Sequence, residues 1–250
     1  MKGEAQAGFT IVEISLFLAI SALLFTIAVI GTGTTIRTVR FQDSGRSLEA
    51  YVQKQYDEIV NGVNPHATGE SCSNGIITSG AQPAGTSNCL LMGKLLLFKE
   101  DEPTISTYLI VGTEPANVSL ASSDEQLIID YAPKVISTTN VDEFDIPWQA
   151  FPSGSKRLSD NQASNALVLI RSPKSTRVLT YTYKELGATP ATDLTPVVSA
   201  AANRNQTVNF CIENADGQGL PAKLVVTPTA TQNAVQIKFD ANDATECSGV

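Results

Sequence analysis

Gly8-Phe9-Thr10-Ile11-Val12-Glu13 opens an apolar run that continues to Ile36. Over residues 9–36 the only charged residue is Glu13. Since about 20 apolar residues suffice to cross the hydrocarbon core of a bilayer, the run is long enough for a membrane-spanning helix. An ionisable side chain inside hydrocarbon costs on the order of a few kcal/mol and is rarely present without a role. The stretch therefore predicts a transmembrane helix with one functional carboxylate near its start.

Two simpler interpretations account for part of this pattern. A secretory signal has a basic start, an apolar region of about 7–15 residues and a small-residue cleavage site. Val29, Gly31 and Gly33 are candidates for such a site. However, the run is longer than the apolar region of a secretory signal, and Glu13 lies inside it. A plain single-span anchor fits the length but gives the carboxylate no role.

The order Gly-Phe-Thr-x-x-Glu at the head of a long apolar helix resembles the processing site of type IV prepilins and related pseudopilins. The resemblance implies that a prepilin peptidase cuts between Gly8 and Phe9 and methylates the new amine of Phe9. Glu13 then becomes the fifth residue of the mature chain and faces the charged N-terminus of a neighbouring subunit. This pairing is physically reasonable, because a cation a few Å away offsets the cost of burying a carboxylate.

The same resemblance implies a structural role rather than an enzymatic one. We expect a structural subunit, a pilin or a minor pilin, of a type IV pilus or a related filament. It is held in the inner membrane as a single-pass precursor and reaches the cell surface by assembly. The implied partners are other pilin subunits, the prepilin peptidase and the inner-membrane assembly machinery, with no cofactor. A pseudopilin of a type II secretion or competence system and a filament-tip adhesin are the alternative functions.

The resemblance also implies an α+β, pilin-like fold, in which a long N-terminal helix packs on a mostly antiparallel β-sheet head. The implied segments are a leader over residues 1–8, a helix over 9–63 and a β-rich head over 64–250. Within the helix, residues 9–36 form the membrane span and the filament core.

The residues beyond the membrane span support a continued helix. Apolar residues recur at steps of three and four, which is typical of an amphipathic helix. Asn61-Gly62 and Asn64-Pro65 favour the end of this helix, since glycine favours a C-terminal cap and proline cannot continue a helix. The predicted stripe consists of Leu48, Tyr51, Val52, Gln55, Tyr56, Ile59 and Val63.

The weakest part of the predicted helix is Gly31-Thr32-Gly33-Thr34-Thr35, where glycine alternates with β-branched residues. Each glycine lowers helix stability by about 1 kcal/mol relative to alanine. The segment is either an imperfect helix near the membrane surface or a place where the helix stretches.

Apolar residues that alternate, or that run continuously at strand length, predict the β-strands of the head. The clearest hairpin joins 165–171 to 177–183 through Ser172-Pro173-Lys174-Ser175-Thr176. Residues 64–93, which are rich in Gly, Ser, Asn, Ala and Pro, predict an irregular loop. Residues 197–202 predict a short helical turn. The other strand candidates are 94–99, 106–112, 126–131, 135–137, 207–213, 224–227 and 234–239.

Four cysteines, Cys72, Cys89, Cys211 and Cys247, lie in the part that the motif places outside the cytoplasm. An even number of cysteines in an oxidising compartment favours two disulfides, and four cysteines allow three pairings. We prefer Cys72–Cys89 and Cys211–Cys247, because each pair brackets one segment. In pilins a C-terminal disulfide often brackets a surface loop, which suits the second pair. The cysteines lack the C-x-x-C spacing of a zinc site and His66 is the only histidine, so no metal is expected.

No group of residues predicts catalysis or nucleic-acid binding. The net charge of −8 disfavours broad electrostatic attraction to a phosphate backbone. Residues 216–217 and 240–243 lack the full ligand spacing of a calcium loop. Two acidic clusters, Glu100, Asp101 and Glu102 on the one hand and Asp142, Glu143 and Asp145 on the other, are most simply interpreted as exposed loop charges.

Processing is the first testable consequence. If a prepilin peptidase acts on this chain, the mature protein begins at Phe9 and its N-terminal amine is methylated. Mass spectrometry of the N-terminal peptide of the native protein measures both features. A chain that begins at Thr32 or Thr34 would instead indicate ordinary cleavage of a secretory signal.

Overall fold

The computed structural model describes residues 10–62, 70–73, 76–80, 89–116, 123–136, 142–187, 190–215, 221–228 and 234–239. The chain divides into two compact units, Met1–Gln42 and Asp43–Val250. One helix, α1 (Ile11–Val60), contributes residues to both units. In its described part, the first unit consists of this helix and Thr10, which precedes it. The second is a globular α+β unit.

Helix α1 is 50 residues long and ends where the sequence predicts. The Asn61 N–H donates to the carbonyl oxygen of Asp57 (2.9 Å), and the Gly62 N–H donates to that of Ile59 (3.1 Å). Gly62 has a φ of +67°, in the left-handed region that glycine adopts at little cost. Asn61-Gly62 therefore forms the C-terminal cap of the helix.

In its described part, the globular unit adds two short helices, two 3₁₀ turns and a set of β-strands to the end of α1. The helices are α2 (Asp124–Asp130) and α3 (Thr195–Ser199), and the turns are Pro147–Gln149 and Ala201–Asn203. The strands are β1 (Glu70–Ser73), β2 (Ile76–Ser79), β3 (Cys89–Phe98), β4 (Thr104–Thr113), β5 (Lys134–Ile136), β6 (Asp142–Asp145), β7 (Ala150–Arg157), β8 (Ala166–Arg171), β9 (Val178–Tyr183), β10 (Val208–Asn214), β11 (Ala222–Val226) and β12 (Val235–Lys238).

The described strands form three antiparallel sheets. The largest has the order β5-β4-β3-β8-β9, with β6 also paired to β4. The second sheet has the order β12-β11-β10-β7, and β1 pairs with β2. Strand β3 lies at the centre of the largest sheet, where Lys94 is opposite Leu109 of β4 and Leu169 of β8. A long apolar helix with antiparallel sheets is the α+β arrangement expected from the sequence.

Different helices cover the two faces of the largest sheet. Leu95, Leu97 and Ile110 belong to an apolar core that also contains Ile128 of α2 and Val198 of α3. Because side chains alternate along a strand, Lys94 and Leu96 point to the opposite face. That face meets α1, and every described residue of the predicted stripe is buried there: Leu48, Tyr51, Val52, Gln55, Tyr56 and Ile59.

Aromatic contacts connect α1, the largest sheet and the second sheet. The ring of Tyr51 on α1 stacks on Phe144 of β6, with centroids 4.3 Å apart. Its hydroxyl shares a hydrogen bond with Thr107 Oγ1 (2.8 Å), and burial raises the pKa of Tyr51 to about 12. Phe98 of β3 stacks on Phe210 of β10, with centroids 3.9 Å apart. These contacts make the two larger sheets and the end of α1 one packed body.

One predicted strand, 126–131, is wrong, because these residues form most of α2. The Ser123 hydroxyl accepts a hydrogen bond from the Gln126 N–H (3.2 Å) and caps the helix start. The Gln126 side chain also donates to Asp130 one turn later (2.8 Å). A serine followed three residues later by glutamine is a helix-start signal. This local signal outweighs the short apolar run that suggested a strand.

The irregular loop predicted over 64–93 needs correction too, since it contains the β1–β2 hairpin and the start of β3. Strands β6 and β7 have no predicted counterpart. Pro152 and Gly154 lower the strand propensity of β7, but it lies at the edge of its sheet, where proline is tolerated. Strand β6 is mostly acidic, so its sequence gives no strand signal although it pairs with β4. The other predicted strands, the 165–183 hairpin and the helical turn near 197–202 are confirmed within a few residues.

A buried lysine joins α1 to the centre of the largest sheet. Lys94 is 4% exposed, and its Nζ donates to Gln55 Oε1 and to the Glu58 carboxylate. Burial opposes ionisation of Glu58, but the hydrogen bond and charge of Lys94, together with Lys54, hold the pKa of Glu58 below its ordinary value. The contact therefore favours the charged form of Glu58 in the folded state.

This contact predicts a pH dependence of stability. Because the folded pKa of Glu58 lies below the unfolded value of about 4.5, its contribution is complete above that pH and is lost as the pH falls through the folded pKa. We expect Glu58→Gln to lower the free energy of unfolding at neutral pH and to lessen its decline in acid. Urea unfolding at about pH 7 and about pH 3.5 measures both effects. The exposed Glu143→Gln is the control, and an equal acid-induced decline in Glu58→Gln and the native protein would contradict the expectation.

The close approach of β3 and β8 gives a second prediction. A methyl group on Gly93 would lie 1.9 Å from the Leu169 carbonyl oxygen, so Gly93→Ala forces the two strands apart. We expect a loss of about 2–4 kcal/mol in the free energy of unfolding, measured with urea. In Gly112→Ala the new methyl group first meets the flexible Met92 side chain, so a smaller loss is expected. Equal losses in the two variants would show that backbone contact at Gly93 is not the cause.

Candidate assembly site

The single carboxylate of the apolar run is held by the residue that precedes α1. The Thr10 N–H and the Thr10 hydroxyl both donate to Glu13 Oε2, each at 2.9 Å. In return, the Glu13 N–H donates to Thr10 Oγ1 (3.3 Å). This reciprocal pattern is a capping box, in which two backbone donors of the first helical turn gain partners. The Glu13 carboxylate thus accepts two hydrogen bonds from Thr10, and the Glu13 N–H donates a third to it.

The surface that follows Glu13 is apolar and uncovered. The large side chains that the structure describes in this part of α1 are 50% to 85% exposed. Contiguous exposed apolar surface of this extent is typical of membrane or protein contacts. In the described part of the chain, α1 is the one helix long and apolar enough to cross a membrane, with a mean hydropathy of 2.5. The exposed residues are Ile11, Val12, Ile14, Leu16, Phe17, Leu18, Ile20, Leu23, Leu24, Phe25, Ile27, Val29 and Ile36.

The hydroxyl groups of Thr26, Thr32 and Thr35 in this segment donate to carbonyl oxygens of the same helix. Thr26 Oγ1 donates to the Ala22 carbonyl oxygen (2.8 Å), and Thr35 Oγ1 donates to that of Gly31 (3.0 Å). Because hydrocarbon offers no hydrogen-bonding partner, such internal bonds suit a membrane environment. The helix is unbroken through the glycine–threonine stretch, and added methyl groups at Gly31 and Gly33 would meet no atom within 4 Å.

Of the other predicted site residues, the structure describes three of the four cysteines but not the two residues of the cleavage site. Gly8 and Phe9, the residues of the predicted cleavage and methylation, lie outside the described residues, as does His66. The predicted Cys72–Cys89 disulfide is present, with an S–S distance of 2.02 Å. It ties β1 to the start of β3. Cys211 is also disulfide-bonded, whereas its predicted partner, Cys247, lies outside the described residues.

The acidic clusters make local structural contacts. Glu102 pairs with Lys99 (3.2 Å), and Asp145 accepts a hydrogen bond from the Thr104 hydroxyl (2.7 Å). Asp142 lies 3.5 Å from the Tyr51 hydroxyl. Among the described residues, no three histidine, cysteine or acidic side chains are arranged to hold a metal ion.

The contact of Thr10 with Glu13 has no counterpart in the sequence-based predictions. The motif contains threonine three residues before glutamate, which is itself a capping-box signal. The structure therefore gives Glu13 a role in its own helix besides the pairing that the resemblance implies. The two roles are separable, because glutamine also completes a capping box but carries no charge.

No family model, curated protein or solved structure matches this chain. The resemblance to prepilins accordingly rests on residues 8–13 and on the apolar helix that they open.

The capping box predicts a local effect. Thr10→Ala removes the hydroxyl that accepts the Glu13 N–H, and such a cap contributes about 1 kcal/mol. In the full chain in detergent micelles, we expect amide hydrogen exchange at Glu13 to become about fivefold faster. NMR or mass spectrometry measures this rate, and Thr10→Ser, which keeps the hydroxyl, should leave it nearly unchanged. Unaltered exchange in Thr10→Ala would show that the cap does not hold the first turn.

Proposed function

We propose that this protein is a structural subunit, a pilin or minor pilin, of a type IV pilus or a related filament. The observation that carries the proposal is the exposed apolar surface of α1 with one carboxylate, Glu13, in its first turn. The order of residues 8–13 supports it, since it combines a cleavable Gly-Phe junction with that carboxylate.

The apolar surface explains why the subunit has two environments. In water, apolar area costs about 25 cal/mol per Å², so side chains such as Phe17, Leu24 and Phe25 need a cover. Lipid supplies the cover while the subunit is a single-pass protein of the inner membrane. Neighbouring α1 helices supply it once the subunit enters a filament at the cell surface. Because both environments are apolar, transfer from one to the other exposes little apolar area to water.

The charge of Glu13 favours the filament over the lipid bilayer. In lipid, the two hydrogen bonds from Thr10 reduce the cost of the carboxylate but leave its charge without a counter-ion among the described residues of the apolar run. Cleavage after Gly8 creates a cationic amine on Phe9. When that amine of one subunit approaches Glu13 of another, both charges gain a partner in a low-dielectric setting. Assembly thus relieves a cost that membrane residence imposes.

The globular unit serves as the head that the helix carries. Burial of the α1 stripe and the contact of Lys94 with Gln55 and Glu58 hold the end of α1 against the largest sheet. The Cys72–Cys89 disulfide suits an exported protein. The implied partners are copies of this chain or related subunits, the prepilin peptidase and the inner-membrane assembly machinery.

Substitution of Glu13 tests the proposal. Glu13→Leu removes the charge and eases membrane residence, so we expect a folded, membrane-bound protein whose incorporation into sheared surface filaments falls about tenfold or more. Quantitative immunoblotting of the membrane and sheared fractions measures the ratio. Normal incorporation of Glu13→Leu would defeat the proposal that charge pairing drives assembly.

Glu13→Gln is the matched control for the helix cap. Glutamine keeps the capping geometry but has no charge, so it separates the two roles of Glu13. If charge pairing is the essential role, Glu13→Gln is lost from filaments as severely as Glu13→Leu. If Glu13→Gln assembles normally while Glu13→Leu does not, the cap is the essential role and the pairing mechanism is wrong.

A further inference from the structure

Trp148 lies in a strained turn at the surface of the globular unit. It is the only tryptophan of the chain, and its side chain is 51% exposed. Its φ is +60° and that of Gln149 is +59°, so two consecutive residues with side chains adopt the left-handed region. Each such residue costs on the order of 1–3 kcal/mol, and a bulky side chain there is uncommon. Strain of this kind persists only where the surroundings impose it.

Contacts on both sides of the turn impose this conformation. The Ser44 hydroxyl donates to the Pro147 carbonyl oxygen (2.6 Å), and the Ile146 N–H donates to that of Pro103 (2.8 Å). The Ala215 N–H donates to the carbonyl oxygen of Gln149 (3.2 Å). These bonds fix the backbone before and after Trp148 and direct its half-exposed indole to one place on the surface.

The indole of Trp148 lies next to Asp43, the first residue of the globular unit. The indole N–H of Trp148 donates to Asp43 Oδ2 (3.2 Å). The seven positions from Ile36, the last residue of the apolar run, to Asp43 rise about 10 Å as helix and cannot exceed about 25 Å in any conformation. The polar zone on each side of the hydrocarbon core is about 5–8 Å thick. As helix, Asp43 lies about 10 Å beyond Ile36, so Asp43 and the Trp148 indole bonded to it lie near the outer edge of this zone.

The chemistry around Asp43 suits that zone. Arg37 and Arg40 precede Asp43 in the sequence and the exposed Arg46 follows it, so the chain carries guanidinium groups on both sides of Asp43. Tryptophan concentrates at membrane interfaces, because its ring is apolar and its N–H needs a polar partner. The Asp43 carboxylate supplies that partner and, being charged, opposes deep insertion.

We propose that Trp148 is an interfacial anchor that docks the globular unit on the lipid headgroup region while the subunit is unassembled. The inference rests on the membrane residence included in the proposed function. The anchor limits the rotation of the unit about the membrane normal and presents one side of it to incoming subunits. The turn and the bond to Asp43 hold the half-exposed indole at the surface.

The fluorescence of the single tryptophan tests this proposal directly. The full chain is reconstituted in phosphatidylcholine vesicles, with and without bromine on the acyl chains near the headgroup. We expect bromine to cause about a twofold loss of Trp148 emission, because an interfacial indole lies close to it. The control is Trp148→Phe/Leu158→Trp. Leu158 is 58% exposed and lies just after β7, at the opposite end of that strand from Trp148. A tryptophan at position 158 is therefore distant from the proposed lipid contact, and bromine should not change its emission.

The outcomes separate the anchor from the proposed function. Quenching of Trp148 but not of the control supports the anchor. Flotation of the vesicles in a density gradient shows whether the protein is bound to them. If the protein floats with the vesicles but bromine quenches neither tryptophan, the anchor is wrong and the membrane residence is supported. Equal quenching of both tryptophans would also overturn the anchor, since it would show non-specific adsorption. Protein that does not float with the vesicles would overturn both proposals. Trp148 shielded from acrylamide only in assembled filaments would assign the residue to a neighbouring subunit and overturn the lipid contact.

Discussion

The exposed apolar surface of α1 is the constraint on which the rest of the molecule depends. A helix with large side chains 50% to 85% exposed is not stable in water, so something outside the chain must cover it. One carboxylate at the start of that surface makes the choice of cover specific. Under the proposed function, lipid accepts the apolar residues but not the charge, whereas a bundle of processed helices accepts both. Glu13 would then favour assembly with such helices over any other cover of the apolar surface.

The capping box changes how that carboxylate is understood. Thr10 and Glu13 satisfy each other within one chain, so the carboxylate is prepared for lipid before any neighbour arrives. In the proposed assembly, the free energy gained is then the difference between two hydrogen-bonded states of the Glu13 carboxylate, because the carboxylate already has partners in the single chain. This difference is smaller than the full cost of a charge in hydrocarbon.

Much of this organisation could be predicted from the sequence, and the failures have physical reasons. The membrane-length run, the buried stripe from Leu48 to Ile59 and the β8–β9 hairpin follow from periodicity, which local sequence carries. Strand β7 was missed because Pro152 and Gly154 suit only an edge strand, and edge position is decided by the whole sheet. The turn at Trp148 depends on Ser44 and Pro103, which are remote in sequence. Thr10 and Glu13 have the spacing of a capping box, so their contact follows from the local sequence alone.

A backbone-resolution map of native surface filaments from cells that produce this protein tests the central claim most directly. We expect a core of α1 helices, with the Glu13 carboxylate of each subunit within hydrogen-bonding distance of the N-terminal amine of Phe9 in a neighbour. A filament core built from another chain, or a core in which Glu13 faces no neighbouring amine, would contradict the claim that charge pairing within an apolar helix bundle drives assembly.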